Sequence, residues 1–294
     1  MIISIASGKG GTGKTTVATN LALVLGERVE LLDCDVEEPN AHLFLKPQID
    51  RTEQVDTPIP LVDEAKCTFC RKCAEICRFN AIAVVGRKVL VFPELCHSCG
   101  GCVAVCPEGA ITEIGRELGT VNYGHRNGFK FINGRLRVGE AMSPPLIKRV
   151  RAARDPERIT LIDAPPGTSC PVIAAMNGAD FILMVTEPTP FGLHDLGLAA
   201  DMVRALGLPF GVVVNRVGIG DDRVHAACRR QDIPILAEIP EDRRIAEVYS
   251  RGGVVVRELP EYRALFSDLN EKIAQLAQPA GAADGDGPRV GART

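Results

Sequence analysis

MIISIASGKGGTGKTTVATNLALVLG, residues 1–26, is the stretch from which the rest of the chain can be laid out. Met1 to Ala6 is a short apolar run that reads as a strand, and Val17, Leu21 and Val24 recur at helical spacing after it. Between them, Gly8 to Thr15 satisfies G-x-x-x-x-G-K-[ST], and the strand before and helix after make this a phosphate-binding loop. Glycines at 8, 10, 11 and 13, with Thr12 among them, let backbone N–H groups converge on phosphate oxygens that larger side chains would keep away. Lys14 is suited to neutralise the β and γ phosphates, and the Thr15 hydroxyl to hold magnesium. The helix start at Thr15 and Thr16 adds a field favourable to anions. A merely structural glycine turn explains neither the lysine nor the threonine. The G-x-G-x-x-G fingerprint of a dinucleotide site is absent in the required form.

Working outward, Val29, Leu31 and Leu32 supply a second strand and complete a βαβ unit. The same grammar returns after Met142: PPLIKRVRAAR reads as a helix, RITLIDAPP as a strand and sharp turn. ADFILMVTEPT, PFGVVVNRV and IPILAEIPED read as further strands, with helices over His194 to Leu206 and Asp222 to Asp232. Strands alternating with helices predict an α/β fold, a mostly parallel sheet covered by helices. Tyr262, Leu265, Phe266, Leu269, Ile273 and Leu276 form one face of a C-terminal amphipathic helix expected to pack on this domain.

The grammar changes in the middle of the chain. Of eleven cysteines, eight lie between Cys67 and Cys106. Cys67, Cys70, Cys73 and Cys77 are spaced C-x2-C-x2-C-x3-C, and Cys96, Cys99, Cys102 and Cys106 repeat that spacing, with Pro107 following. A zinc site uses two C-x2-C pairs but leaves the third and fourth cysteine of each run unexplained. Cys34, Cys170 and Cys228 share no metal-binding spacing and read as buried or incidental thiols, and His97 reads as packing or surface. The turn signals Asn127-Gly128 and Asn133-Gly134 predict one or two hairpins next.

Composition sets limits on the rest. The 294 residues carry 34 Lys and Arg against 37 Asp and Glu, a formal charge of -3, so the whole surface offers no strong attraction to nucleic acid or anionic lipid. A locally basic face is compatible with that balance. No apolar run reaches the length of a membrane span, the N terminus has no basic leader, and the cysteine usage suits a reducing, cytoplasmic setting.

Two resemblances sharpen this reading. Lys9 within KGGTGKT resembles the deviant P-loop of the MinD, ParA and Mrp branch, which includes nitrogenase iron protein. The resemblance implies a magnesium-dependent ATPase forming an ATP-dependent homodimer, in which Lys9 reaches the partner's nucleotide and Asp35, in LLDCDVEEPN, positions the attacking water. Asp33 is similar to the acid ending the second strand. In IDAPPG, Asp163 corresponds to a magnesium-supporting acid and the Gly167 amide to a sensor of the γ-phosphate. Asn215 and Arg216 in VVVNR resemble the adenine-recognition strand, with Asn215 the favoured base contact, and Pro240 in IPED helps to close the base pocket.

The cysteine region, in turn, resembles bacterial two-cluster ferredoxins, apart from Arg78 where the pattern usually has proline. That implies two [4Fe-4S] clusters, one on Cys67, Cys70, Cys73 and Cys106, the other on Cys77, Cys96, Cys99 and Cys102. The expected fold is thus an α/β P-loop NTPase with an inserted ferredoxin-like domain. It divides as ATPase over residues 1–61, ferredoxin-like insertion over 62–114, hairpin-rich connection over 115–138, ATPase again over 139–278, and disordered tail over 279–294. The expected function is ATP hydrolysis coupled to electron transfer or to metallocluster maturation of a protein partner. A nucleotide-switched positioning protein with structural clusters, and an iron-sulfur cluster carrier, are the alternatives.

Overall fold

Short apolar runs bounded by glycine and charge become the inner strands of one sheet. In the computed structural model, which describes residues 1–126 and 128–277, the strands are β1 (Ile2–Ala6), β2 (Val29–Asp33), β3 (Gln48–Val62), β4 (Ile82–Val85), β5 (Lys88–Val91) and β6 (Ile111–Arg126). They continue with β7 (Phe129–Leu136), β8 (Ile159–Asp163), β9 (Phe181–Thr186), β10 (Phe210–Val217) and β11 (Ile235–Pro240). Asn127, half of one predicted turn, and the tail 279–294 lie outside the described residues.

Nine strands form the main sheet in the order β11-β10-β9-β1-β8-β2-β7-β6-β3. Pairing is parallel from β11 to β7, and β6 and β3 are antiparallel additions at one edge. β2 and β9 are buried along their whole length and β1 and β8 nearly so, as expected of strands covered on both faces. One face is packed by the helices Lys14–Leu25, Ala41–Leu45 and Arg263–Leu276 against Phe129, Phe131, Leu161 and Phe181. The other is packed by Pro144–Ala152, Cys170–Met176, Pro190–Ala205 and Arg223–Arg230 against Leu32, Ile132, Ile162 and Met184. Phe266, Leu269 and Ile273 put the C-terminal helix on the first of these cores, and Lys272 Nζ donates to the Leu236 carbonyl at 2.7 Å.

The antiparallel edge carries the cysteine region. β3 and β6 run side by side from Gln48 opposite His125 to Val62 opposite Ile111. At that tip the Asp63 amide donates to the Ala110 carbonyl at 2.8 Å, so the two chain ends of residues 63–110 emerge together, the geometry that lets a segment be inserted into a fold. These residues hold a small core of their own, Cys73, Ile82, Val84 and Val89 with Ile111, beneath the β4-β5 pair.

Residues 115–138 do contain a hairpin, β6 to β7, but both strands belong to the main sheet and β7 pairs in parallel with β2. The Asn133-Gly134 turn is not formed. Asn133 pairs with Asp33 inside β7 and its Oδ1 accepts from Asn122 Nδ2 at 3.4 Å. A side chain at Gly134 would run into Val36 and Val150, so this glycine serves a close approach of elements.

Candidate nucleotide site and paired cysteine cavities

β1, β2 and β8 end on the same edge of the sheet, and each delivers functional groups there. After β1 the loop turns through Gly11 and Gly13, with φ of 80° and 98°, and Gly13 caps the helix Lys14–Leu25. A side chain at Gly13 would meet the Asn215 amide, which donates to the Thr12 carbonyl at 2.8 Å and ties β10 to the loop. Ser7 Oγ donates to the Lys9 carbonyl at 2.5 Å, closing the turn from inside. The resulting open cleft is lined by Gly10, Gly11, Gly13, Lys14, Thr15, Thr16, Asp35, Asn215, Arg216 and Pro240 among the residues expected from sequence. Asn40, at the end of the LLDCDVEEPN stretch, lines it as well, together with Ile245, Ala246 and Tyr249, to which no sequence motif pointed. Ile245, Ala246 and Tyr249 share one face of the helix Arg243–Ser250, and that i, i+1, i+4 spacing was the available signal.

Three acids surround the buried amine of Lys14. Asp163, at the end of β8, accepts from Thr15 Oγ1 at 2.6 Å through Oδ2, while its buried Oδ1 has no partner among the described residues. A hydroxyl and a carboxylate in contact, with one carboxylate oxygen to spare, are the donor set a magnesium ion takes in a phosphate site, so these residues fit that ion. Asp33 accepts from the amides of Asp35 and Ala41 at 3.2 and 3.0 Å and so shapes the loop that presents Asp35. Burial raises the pKa of Asp33 well above the ordinary carboxylate range. Burial also pushes Asp35 and Asp163 up to about 6 against the opposing pull of Lys14. The Lys14 ammonium is itself drawn down by burial and supported by the three acids.

The sign of this effect gives a prediction. For Asp35 the folded state binds a proton more tightly than the unfolded chain, so stability falls as pH rises from the ordinary value of 3.8 to about 6, and stays lowered above it. Asp35→Asn is expected to stabilise the nucleotide-free protein at about pH 7.5 by on the order of 2 kcal/mol and to flatten the pH dependence. Urea unfolding at about pH 4.5 and pH 7.5 measures it, and a variant no more stable than wild type at the higher pH would contradict the assignment.

Other expected residues lie around the cleft without lining it. Gly8 abuts the Asp195 backbone, Thr12 is buried, and the Gly167 amide donates to the Ser7 carbonyl at 2.9 Å. In this state that amide is therefore engaged within the chain. Lys9 is turned to Glu187, with Nζ 3.4 Å from Oε2, and Arg216 reaches the other oxygen of the same carboxylate at 2.9 Å. Glu187 is buried just beyond β9 and was not singled out by sequence reasoning.

The eight clustered cysteines divide between two cavities. Cys67, Cys70, Cys73 and Cys106 line one, and Cys77, Cys96, Cys99 and Cys102 line the other. The two runs repeat each other in backbone conformation: Phe69, Arg71 and Asn80 have φ of 57°, 69° and 54°, and Ser98, Gly100 and Gly109 have 53°, 69° and 57°. Sulfur contacts repeat too. The amides of Phe69 and Ser98 donate to Cys67 and Cys96 Sγ at 3.4 Å, and those of Ala81 and Ala110 to Cys77 and Cys106 Sγ at 3.3 Å. Such N–H···S bonds stabilise thiolates and tune the metal centres they bind. Among the described residues no three His, Cys, Asp or Glu side chains are gathered to hold a single ion. His97 stacks on Phe79 with ring centroids 3.5 Å apart, and burial raises the thiol pKa of Cys34 and Cys228.

A strand, glycine loop and helix, with carboxylates at the ends of neighbouring parallel strands, define a P-loop nucleotide-binding protein. Residues 3–255 match the CobQ/CobB/MinD/ParA nucleotide binding domain, and the chain belongs to that family. An uncharacterised protein of Methanocaldococcus jannaschii is 30% identical over 283 residues, covering 94% of this chain and 96% of its own. A cytosolic Fe-S cluster assembly factor, the Nubp2 homolog of Anopheles gambiae, is 25% identical over 282 residues, 88% of this chain and 90% of its own. Among solved structures, the septum site-determining protein MinD of Pyrococcus horikoshii, complexed with Mg-ADP, has the same fold, with a TM-score of 0.59 and 24% identity over 96% of this chain and 98% of that one. No described helix is long and apolar enough to cross a membrane.

Proposed function

We propose that the protein is a magnesium-dependent ATPase whose nucleotide state controls an electron-transfer domain holding two [4Fe-4S] clusters. The observation that carries this reading is the division of eight cysteines into two cavities, four and four, in a chain that also has a complete phosphate loop. Cys67, Cys70, Cys73 and Cys106 would hold one cluster and Cys77, Cys96, Cys99 and Cys102 the other. When bound, the clusters supply one-electron redox chemistry.

At the nucleotide site, Lys14 and the loop amides neutralise phosphate charge, Thr15 and Asp163 hold magnesium, and Asp35 orients the attacking water. Asn215 and Pro240 bound the base pocket beside Tyr249. Lys9 and Arg216 are held by Glu187 within the chain. An ATP-dependent homodimer in which Lys9 acts across the interface requires that ion pair to open, and the Gly167 amide to leave Ser7 for the γ-phosphate. Closure on ATP and release on hydrolysis would then alter how the cluster domain meets its client, a redox or metallocluster-maturation protein.

One observation favours a second reading, cluster delivery: the similarity to a protein named as a cytosolic Fe-S cluster assembly factor. Eight cysteines already suffice for two clusters, which argues against easy release. Anaerobic purification, with iron, sulfide, nucleotide-dependent association and the spin-resonance spectrum of the reduced protein measured on one preparation, tests the proposal. Two interacting [4Fe-4S] centres and ATP-driven dimers are expected. A single zinc ion, or association indifferent to nucleotide, would refute it, and transfer of intact clusters to an apo target would favour delivery.

A further inference from the structure

The two cysteine runs repeat in spacing, backbone and sulfur contacts, but their charges do not repeat. Residues 66–91 contain six Lys or Arg and one acid, whereas residues 92–115 contain three Glu and no Lys or Arg. The basic side chains gather at one cavity. Arg71 and Lys72 line the cavity of Cys67, Cys70, Cys73 and Cys106, and the Arg87 guanidinium lies 6.0 Å from the ring centroid of Phe69 in its wall. Lys88 adjoins Val89 of the same wall. All four are exposed, and among the described residues none of them has an ion pair within the chain; Lys66 beside them pairs with Asp63 at 3.4 Å. Among the described residues Glu108 is the one acid of this wall.

The other cavity has a different rim. Among the described residues, Pro58, Pro60, Ile76 and Phe79 line it, Glu113 is its one acid, and no Lys or Arg reaches it. Arg78, which follows Cys77, is the one basic side chain of the first half that neighbours a cysteine of this second cavity. These four cations, without an ion pair among the described residues, stand at a cavity whose lining includes one acid, Glu108. In a chain of net charge -3 this rim is a local reversal of sign. Such a patch steers and orients an oppositely charged surface, and guanidinium groups pair with carboxylates in a defined geometry.

We infer that the rim formed by Arg71, Lys72, Arg87 and Lys88 is the docking surface for an acidic redox protein, which approaches the cavity of Cys67, Cys70, Cys73 and Cys106 and not its counterpart. This rests on the proposal that both cavities hold clusters, although the docking itself is electrostatic. The two parts of the chain then have separate duties: the basic rim admits the exchange partner, and the apolar rim of the second cavity is left for the client.

Binding of an acidic flavodoxin, with a basic cytochrome c as control, measured by titration calorimetry from about 0.05 to about 0.5 M ionic strength, tests this. The wild type is expected to bind the flavodoxin, weakening steeply with salt, and not the cytochrome. Combined Arg71→Glu, Lys72→Glu, Arg87→Glu and Lys88→Glu should raise the flavodoxin Kd about tenfold or more, while Glu94→Lys with Glu113→Lys leaves it within about twofold. The four substitutions to Gln, a milder set should reversal disturb folding, should give an intermediate loss. Equal binding by wild type and the Gln variant, or no salt-dependent binding by wild type, overturns the inference. Iron content of the same samples is an independent readout: a protein without clusters that still binds through this rim defeats the cluster reading and leaves the docking surface standing.

Discussion

Lys14→Ala is expected to lower magnesium-dependent ATP turnover by a hundredfold or more at saturating nucleotide. The Lys14 side chain is 7% exposed, at the first turn of the helix that follows the phosphate loop, and it is the cation supported by Asp163, Asp35 and Asp33. Truncation removes the charge that would meet the β and γ phosphates and also leaves buried Asp33 and Asp163 and the half-buried Asp35 without it. Nucleotide affinity should therefore fall together with turnover, in contrast to Asp35→Asn, which should bind nucleotide well and hydrolyse it poorly. Phosphate release and nucleotide titration on both variants separate the two roles. Wild-type turnover by Lys14→Ala would remove the phosphate-loop assignment altogether.

The second large effect concerns the cavities. Cys70 and Cys99 are exposed thiols, one in each cavity, so replacing either by Ala takes away a proposed cluster donor with little loss of packing. The intact protein is expected to carry about eight iron and eight sulfide per chain, and Cys70→Ala or Cys99→Ala about half of each, with the remaining centre still visible in the spin-resonance spectrum. Because the cysteine region hangs from the tip of the β3-β6 ribbon with a core of its own, nucleotide binding should survive both substitutions. Unchanged iron in both variants would show that these sulfurs are not donors.

Much of this was readable in the chain because the relevant signals are local. The phosphate loop needs its glycines, Lys14 and Thr15 in consecutive order, and the inner strands are short apolar runs between breakers. The partition of the cysteines followed from resemblance, and the structure sets the same two groups of four around separate cavities. What escaped notice is non-local or polar. β3 exposes most of its side chains and is held by pairing with β6, so neither alternation nor an apolar run announced it. Asn133-Gly134 has the composition of a turn, but parallel pairing with β2 and the closeness of Val36 and Val150 make it strand. Glu187 gains its importance only when β1, β9 and β10 bring Lys9 and Arg216 to it. The helix Arg243–Ser250 is polar and has one buried residue, Val248, which concealed the cleft wall formed by Ile245 and Tyr249.

The central claim is that nucleotide and clusters are coupled within one machine. The most direct measurement is the rate at which the chemically reduced protein is oxidised by a small oxidant, in Mg-ATP and in Mg-ADP, using Asp35→Asn to hold the ATP state. The account predicts rates that differ several-fold between the two nucleotides, and no difference when Lys14→Ala is combined with Asp35→Asn. Identical rates in ATP and ADP, with both clusters present and ATP-driven dimers formed, would contradict it.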